Sequence, residues 1–166
     1  AAWNGRAYLC GRRRRQFAAG VVDEASPESI ESAMLASDDG LVWRHAALFT
    51  ADHGDETAFV FGPDGQVTAL ARGSDGRPAR ICRAAPPFAG WNRFELDRNV
   101  GGPLLVGWHD AFLVGGRRTV DGQPRTVLSW LDGDRLRDVA ELPSAGDNSY
   151  PGFVPVDGSR ALLSYY

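Results

Sequence analysis

Three stretches of this chain repeat one pattern at nearly even intervals of roughly 45 residues. The first reads Asp55-Glu56-Thr57-Ala58-Phe59-Val60-Phe61-Gly62-Pro63-Asp64-Gly65, the second Gly101-Gly102-Pro103-Leu104-Leu105-Val106, and the third Asn148-Ser149-Tyr150-Pro151-Gly152-Phe153-Val154. Each begins on small or polar residues, enters an apolar strand, turns, and enters a second strand over 66–72, 111–117 and 160–166. Glu56, Gly102 and Tyr150 occupy equivalent places, as do Arg72, Arg117 and the terminal tyrosines. A period of this length made of short strands marks a β-propeller, with about four strands per blade. The expected fold is all-β, a partial propeller with a partial blade over 1–50, blades over 51–97 and 98–143, and a partial blade over 144–166. The segment Trp3–Arg12 aligns with the second strand of later blades, so the first blade begins midway and the last stops after its second strand. The chain reads as a piece of a longer protein, whose remaining blades are its first partners.

Strand signals are dense from Ala7–Cys10 through Ile30–Leu35, Val67–Ala71 and Phe112–Gly116 to Ala161–Ser164. Between such runs stand Pro63-Asp64-Gly65, Ser74-Asp75-Gly76, Asp121-Gly122-Gln123, Asp132-Gly133-Asp134 and Asp157-Gly158-Ser159. These are tight-turn sequences, since Gly accepts positive φ and Asp bonds backbone amides. Ser26-Pro27-Glu28-Ser29-Ile30-Glu31, an N-cap followed by Pro and Glu, reads as a short helical turn or a polar loop entering the strand at Ile30. The run Arg12-Arg13-Arg14-Arg15 has no aromatic platform between its arginines and reads as a solvated loop countered by Asp23, Glu24 and Glu28. With a net charge of −3, the chain gives no support for nucleic-acid binding. No apolar run approaches the ~20 residues that span a bilayer. Cys10 and Cys82 are too few for a disulfide framework or zinc cluster and read as isolated buried thiols, leaving the compartment open. His45, His53 and His109 lack ligand spacing, so neither a metal nor any other cofactor is expected, and only His53 falls near the Glu56 segment.

Ser37-Asp38-Asp39-Gly40-Leu41-Val42-Trp43 has the residues of a closed hairpin, with an Asp to cap amides, a Gly for the corner and a Trp to pack beneath. It resembles the Asp-box of sialidases and related BNR-repeat propellers, shortened by one residue. In that family the box joins the third and fourth strands of a blade and is structural. Trp91 and Trp130 stand in the following two repeats without the full box. The resemblance extends to the repeated strands, where sialidases carry Glu, an apolar strand, Asp-Gly, a second strand and Arg. Here the matching residues run from Glu56 through Asp64-Gly65 to Arg72. A Tyr opening a later inner strand is matched by Ser149-Tyr150 ahead of Asp157-Gly158.

The resemblance implies a six-bladed scaffold and a retaining glycoside hydrolase in which Tyr150 is the nucleophile and Glu56 its base. Sialidases are the tyrosine-nucleophile exception among glycosidases. A sialic acid carries a carboxylate on its anomeric carbon, so a carboxylate nucleophile is repelled where a neutral phenol is not. Arg72 and Arg117 would clamp the anionic sugar by charge-assisted bonds. Arg12 is equivalent to them by repeat alone, and Asp55 and Asp147 precede the two inner strands as candidate substrate contacts. The family's first arginine and its general-acid Asp belong to earlier blades, and no Asp here matches that acid's motif. The expected partner is a carbohydrate. The alternatives are a non-catalytic propeller that binds glycan or protein on the same face, and a different glycosidase on the same scaffold.

Overall fold

The computed structural model describes residues 1–15 and 29–166, and the candidate helical turn at Ser26-Pro27-Glu28 and the acidic Asp23 and Glu24 lie outside the described residues. The described chain is all-β, in four antiparallel sheets whose strands pair in chain order. The first sheet holds β1 (Ala2–Trp3), β2 (Arg6–Arg14), β3 (Ile30–Ser37) and β4 (Arg44–Thr50). The second holds β5 (Gly54–Phe61), β6 (Val67–Gly73), β7 (Arg80–Ala84) and β8 (Asn92–Glu95). The third holds β9 (Gly101–Trp108), β10 (Ala111–Val120), β11 (Gln123–Asp132) and β12 (Arg135–Leu142), and the fourth pairs β13 (Gly152–Pro155) with β14 (Ala161–Ser164).

Turn chemistry accounts for the meanders. Asp121 and Gly122 both take positive φ, 49° and 77°, and close the two-residue hairpin between β10 and β11. That is the type I′ geometry whose twist matches paired strands. In the Ser37–Trp43 segment between β3 and β4, Leu41 and Val42 each donate a backbone N–H to Asp39 Oδ1 at 2.8 Å. Gly40 sits at the positive-φ corner and donates its N–H to Ser37 Oγ at 2.9 Å.

Apolar faces of neighbouring sheets stack on one another. Met34 and Phe49 from the first sheet pack with Val67, Ala69 and Cys82 from the second, beneath a ring cluster of Trp3, Tyr8, Phe59 and Phe61. Leu70 and Ile81 then meet Leu105, Val114 and Leu136 of the third sheet. Phe153 of the fourth sheet lies edge-on to Trp108 at 5.1 Å between ring centres. Full burial of each large side chain contributes about 1.5–3 kcal/mol, so these inter-sheet layers dominate the stability. Arg93 fastens the outer edges of the first two sheets, donating to the carbonyls of Phe49 at 2.6 Å and Leu48 at 2.8 Å.

Two expectations are corrected. The arginine run is largely strand, since β2 continues through Arg14 and pairs in register with β3. Its counter-charges are Glu31, 2.7 Å from Arg13, and Asp55, 2.7 Å from Arg12. The loop reading failed because period-2 strands admit charge wherever one face meets solvent or carboxylates. Cys82 is buried, but Cys10 is only half-buried, with Sγ 3.4 Å from the Ser32 hydroxyl.

Candidate functional site

A β-bulge creates the site. Gly54 faces Gly73 and Thr57 faces Ala71, so Asp55 and Glu56 of β5 together oppose the single residue Arg72 of β6. The extra residue twists the strand and aims both carboxylates toward one guanidinium. Arg72 Nη1 donates to Glu56 Oε2 at 2.8 Å, and its Nε stands 3.6 Å from Asp55 Oδ2. Asp55 is buried and also accepts from Arg12 Nη1 at 2.7 Å and from the Glu56 backbone N–H at 3.0 Å. The remaining oxygen of Glu56, Oε1, accepts the phenol O–H of Tyr150 at 2.9 Å across 94 residues of sequence. A cavity of about 370 Å³ opens beside Glu56, lined by Cys10, Arg12, Asp55 and Thr57.

These contacts fix the protonation states. Burial works to raise the Glu56 carboxyl, but the bonds from Arg72 and Tyr150 outweigh it and hold it below its ordinary value. Tyr150 moves the other way, because its bond to the Glu56 carboxylate favours the protonated phenol and partial burial adds to that. Burial lowers Arg72, and its pairing with Glu56 more than restores it. At neutral pH a neutral phenol therefore donates to an ionised carboxylate steadied by a cation. This arrangement can pass the phenol's proton to Glu56 as the oxygen attacks an electrophile.

The backbone holds Tyr150 in an unusual conformation, with φ +54° immediately ahead of Pro151. Its N–H donates to the Gly102 carbonyl at 3.0 Å. Gly102 lies in a second bulge, where Gly102 and Pro103 of β9 oppose Gly116 of β10. A Cβ on Gly102 would stand 2.5 Å from Ser149 Cβ and 2.8 Å from the Tyr150 nitrogen, so only glycine admits this approach. Two residues upstream, buried Asn148 anchors the segment, its amide 2.9 Å from the Thr126 hydroxyl and 3.0 Å from that of Ser144.

Of the residues expected at the site, Glu56, Arg72, Asp55 and Tyr150 form one connected cluster. Arg117 and Asp147 do not join it by direct bonding; they pair with each other, and Asp147 is largely exposed. Arg117 nevertheless flanks Gly101, beside the Gly102 on which Tyr150 rests. His53 adjoins the bulge through its carbonyl, which accepts the Ser74 N–H at 2.9 Å. Gly102 and Asn148 carried no chemical signal in the sequence, because their roles depend on contacts between sheets. Among the described residues no group of His, Cys, Asp and Glu could hold a metal ion.

Neither a known protein family nor a curated protein matches the chain. Among solved structures it is similar to the crystal structure of a protein of unknown function from Dyadobacter fermentans, with a TM-score of 0.76 at 20% identity. The similarity covers 99% of this chain and 47% of that one, so the chain spans about half the length of the structure it matches. At this identity the likeness is one of fold.

Proposed function

We propose that the four sheets are successive blades of a β-propeller, and that the chain carries part of the active site of a sialidase-like glycoside hydrolase. Tyr150 is the nucleophile, Glu56 its base, and Arg72 and Arg117 hold an anionic sugar. The observation that carries this reading is the 2.9 Å bond from the Tyr150 phenol to a carboxylate whose other oxygen is held by Arg72. A purely structural tyrosine has no need of a left-handed backbone, an exposed ring and a charge-paired acceptor together. Such strain is characteristic of functional positions.

In the proposed reaction the Tyr150 oxygen bonds to the anomeric carbon while its proton passes to Glu56. The glycosidic C–O bond breaks, and the leaving oxygen takes a proton from an acid that this chain does not assign. Water, deprotonated by the conjugate base of that acid, then attacks the anomeric carbon, and Glu56 returns its proton to the departing Tyr150 oxygen, which restores the phenol. Support for the propeller comes from the stacked four-stranded meanders and from the placement of Glu56 and Tyr150 on sheets separated by one other.

A second reading, a propeller that binds glycan or protein on this face without turnover, is favoured by one observation. Arg117 and Arg72 are already matched by carboxylates of their own chain. Assay of the full-length protein on a fluorogenic sialoside and on neutral glycosides separates the two. Sialoside turnover that falls by at least ~100-fold in Tyr150→Phe, with KM little changed, supports the nucleophile. Full activity in Tyr150→Phe rules it out, and sialoside binding without turnover in the wild type selects the second reading.

A further inference from the structure

Across the second sheet, Ala58, Leu70 and Ile81 form a register row that faces the third sheet and is wholly apolar. The row two residues further from Glu56 is Val60, Thr68 and Arg83. It turns the same way, since side chains on one face recur every second residue. Arg83 therefore occupies a position that the neighbouring row fills with isoleucine. It is half-buried, and no carboxylate, carbonyl or ring of the described residues bonds or pairs with it. The other half-buried arginines, Arg6, Arg72, Arg80, Arg98, Arg117, Arg118 and Arg125, each have a carboxylate within 4.0 Å. A partly shielded cation without a counter-charge attracts an anion that can reach it more strongly than a fully solvated one does.

Space for the anion adjoins it. A cavity of about 610 Å³ lies between the second and third sheets, bounded by Val60, Phe61, Thr68, Arg83 and Phe112. That volume lies within the ~300–1,000 Å³ range of small-molecule sites. Glu56 and Val60 are four residues apart on β5, which separates this cavity from the Tyr150 cluster by about 13 Å of strand. Asp64 also reaches the cavity, but its Oδ1 accepts the Gln66 N–H at 3.0 Å in the turn.

We propose that this cavity is a second ligand site, independent of the Tyr150 cluster, and that it takes a small monocarboxylate with an apolar ring. Arg83 supplies the bidentate fork that matches a carboxylate, and Val60, Phe61 and Phe112 supply apolar wall. One cation balances one negative charge, which favours a carboxylate over a doubly charged phosphate.

The test is titration of the full-length protein with sodium benzoate, followed by amide shifts in ¹H–¹⁵N NMR, with benzyl alcohol as the neutral control. Saturable shifts centred on Gly62, Thr68, Arg83 and Gly107 are expected, with Kd at or below roughly 5 mM. Arg83→Met should weaken benzoate at least ~10-fold without changing the alcohol, and Arg83→Lys should lie between. Phe112→Ala should weaken both probes, and Tyr150→Phe should change neither. Equal benzoate binding in Arg83→Met, shifts centred on Arg72 and Arg117, or no saturation by roughly 20 mM would each overturn the proposal. A spectrum of Arg83→Met that no longer disperses moves the decision to Arg83→Lys, where unchanged affinity for benzoate also overturns it.

Discussion

Tyr150 and Glu56 shift each other's ionisation in opposite directions, and that mutual effect can be measured. In ¹³Cζ-tyrosine NMR the Tyr150 phenol should titrate above the ordinary value, and Glu56→Gln should return it toward about 10. Identical titrations would show that the hydrogen bond does not persist in solution. Stability carries the same signature at acid pH. Because the folded Glu56 carboxyl is held low, its contribution is present above the unfolded value of about 4.3 and is lost as pH falls through the folded one. The group is partly exposed, so the contribution is below about 1 kcal/mol. Chemical denaturation at pH 3 and pH 6 should therefore show a smaller pH dependence in Glu56→Gln than in wild type. Gly102→Ala addresses the backbone beneath the phenol. It adds a Cβ where Ser149 and the Tyr150 nitrogen already stand, at a residue with φ +52°. It should cost about 1–3 kcal/mol and bring the Tyr150 titration back toward ordinary, whereas an unchanged phenol would deny Gly102 its positioning role.

At the scale of elements, strands and turns were legible and register was not. Local signals such as Asp121-Gly122 and Ser37–Trp43 write their geometry into adjacent residues, and the hairpins form there. The short β1 strand leaves no sequence signal, because a two-residue run carries no period. The bulge that sets Asp55 and Glu56 against Arg72 left no local mark either, since a bulge is a relation between two strands. For the same reason the repeat places Arg12 at a strand end but does not show its partner Asp55, which comes from the neighbouring sheet. The hairpin and core chemistry can be tested by calorimetry. Ser37 is buried and its hydroxyl both accepts from Gly40 and donates to Asp39, so Ser37→Ala should cost about 1–2 kcal/mol. Phe49, fully buried between the first two sheets, should cost about 3–5 kcal/mol as alanine. A loss below ~1 kcal/mol in Phe49→Ala would contradict the inter-sheet core.

Over the whole molecule, the repeat foretold sheets in series, and the described residues form four of them, with apolar layers between the first and second and between the second and third. Tyr150 and Glu56 matched a sialidase pattern as separate residues; their contact across the intervening sheet was not written in either segment alone. Arg117 kept its expected strand, but its guanidinium went to Asp147, a pairing that depends on how the 144–150 segment folds back over the third sheet. In the proposed reaction the Tyr150 oxygen forms the covalent bond to the sugar. Rapid quenching of the full-length protein during turnover of a sialoside, followed by peptide mass spectrometry, tests it directly. A sugar adduct is expected on the peptide carrying Tyr150, absent in Tyr150→Phe. Turnover with the adduct on an aspartate or glutamate instead would contradict it.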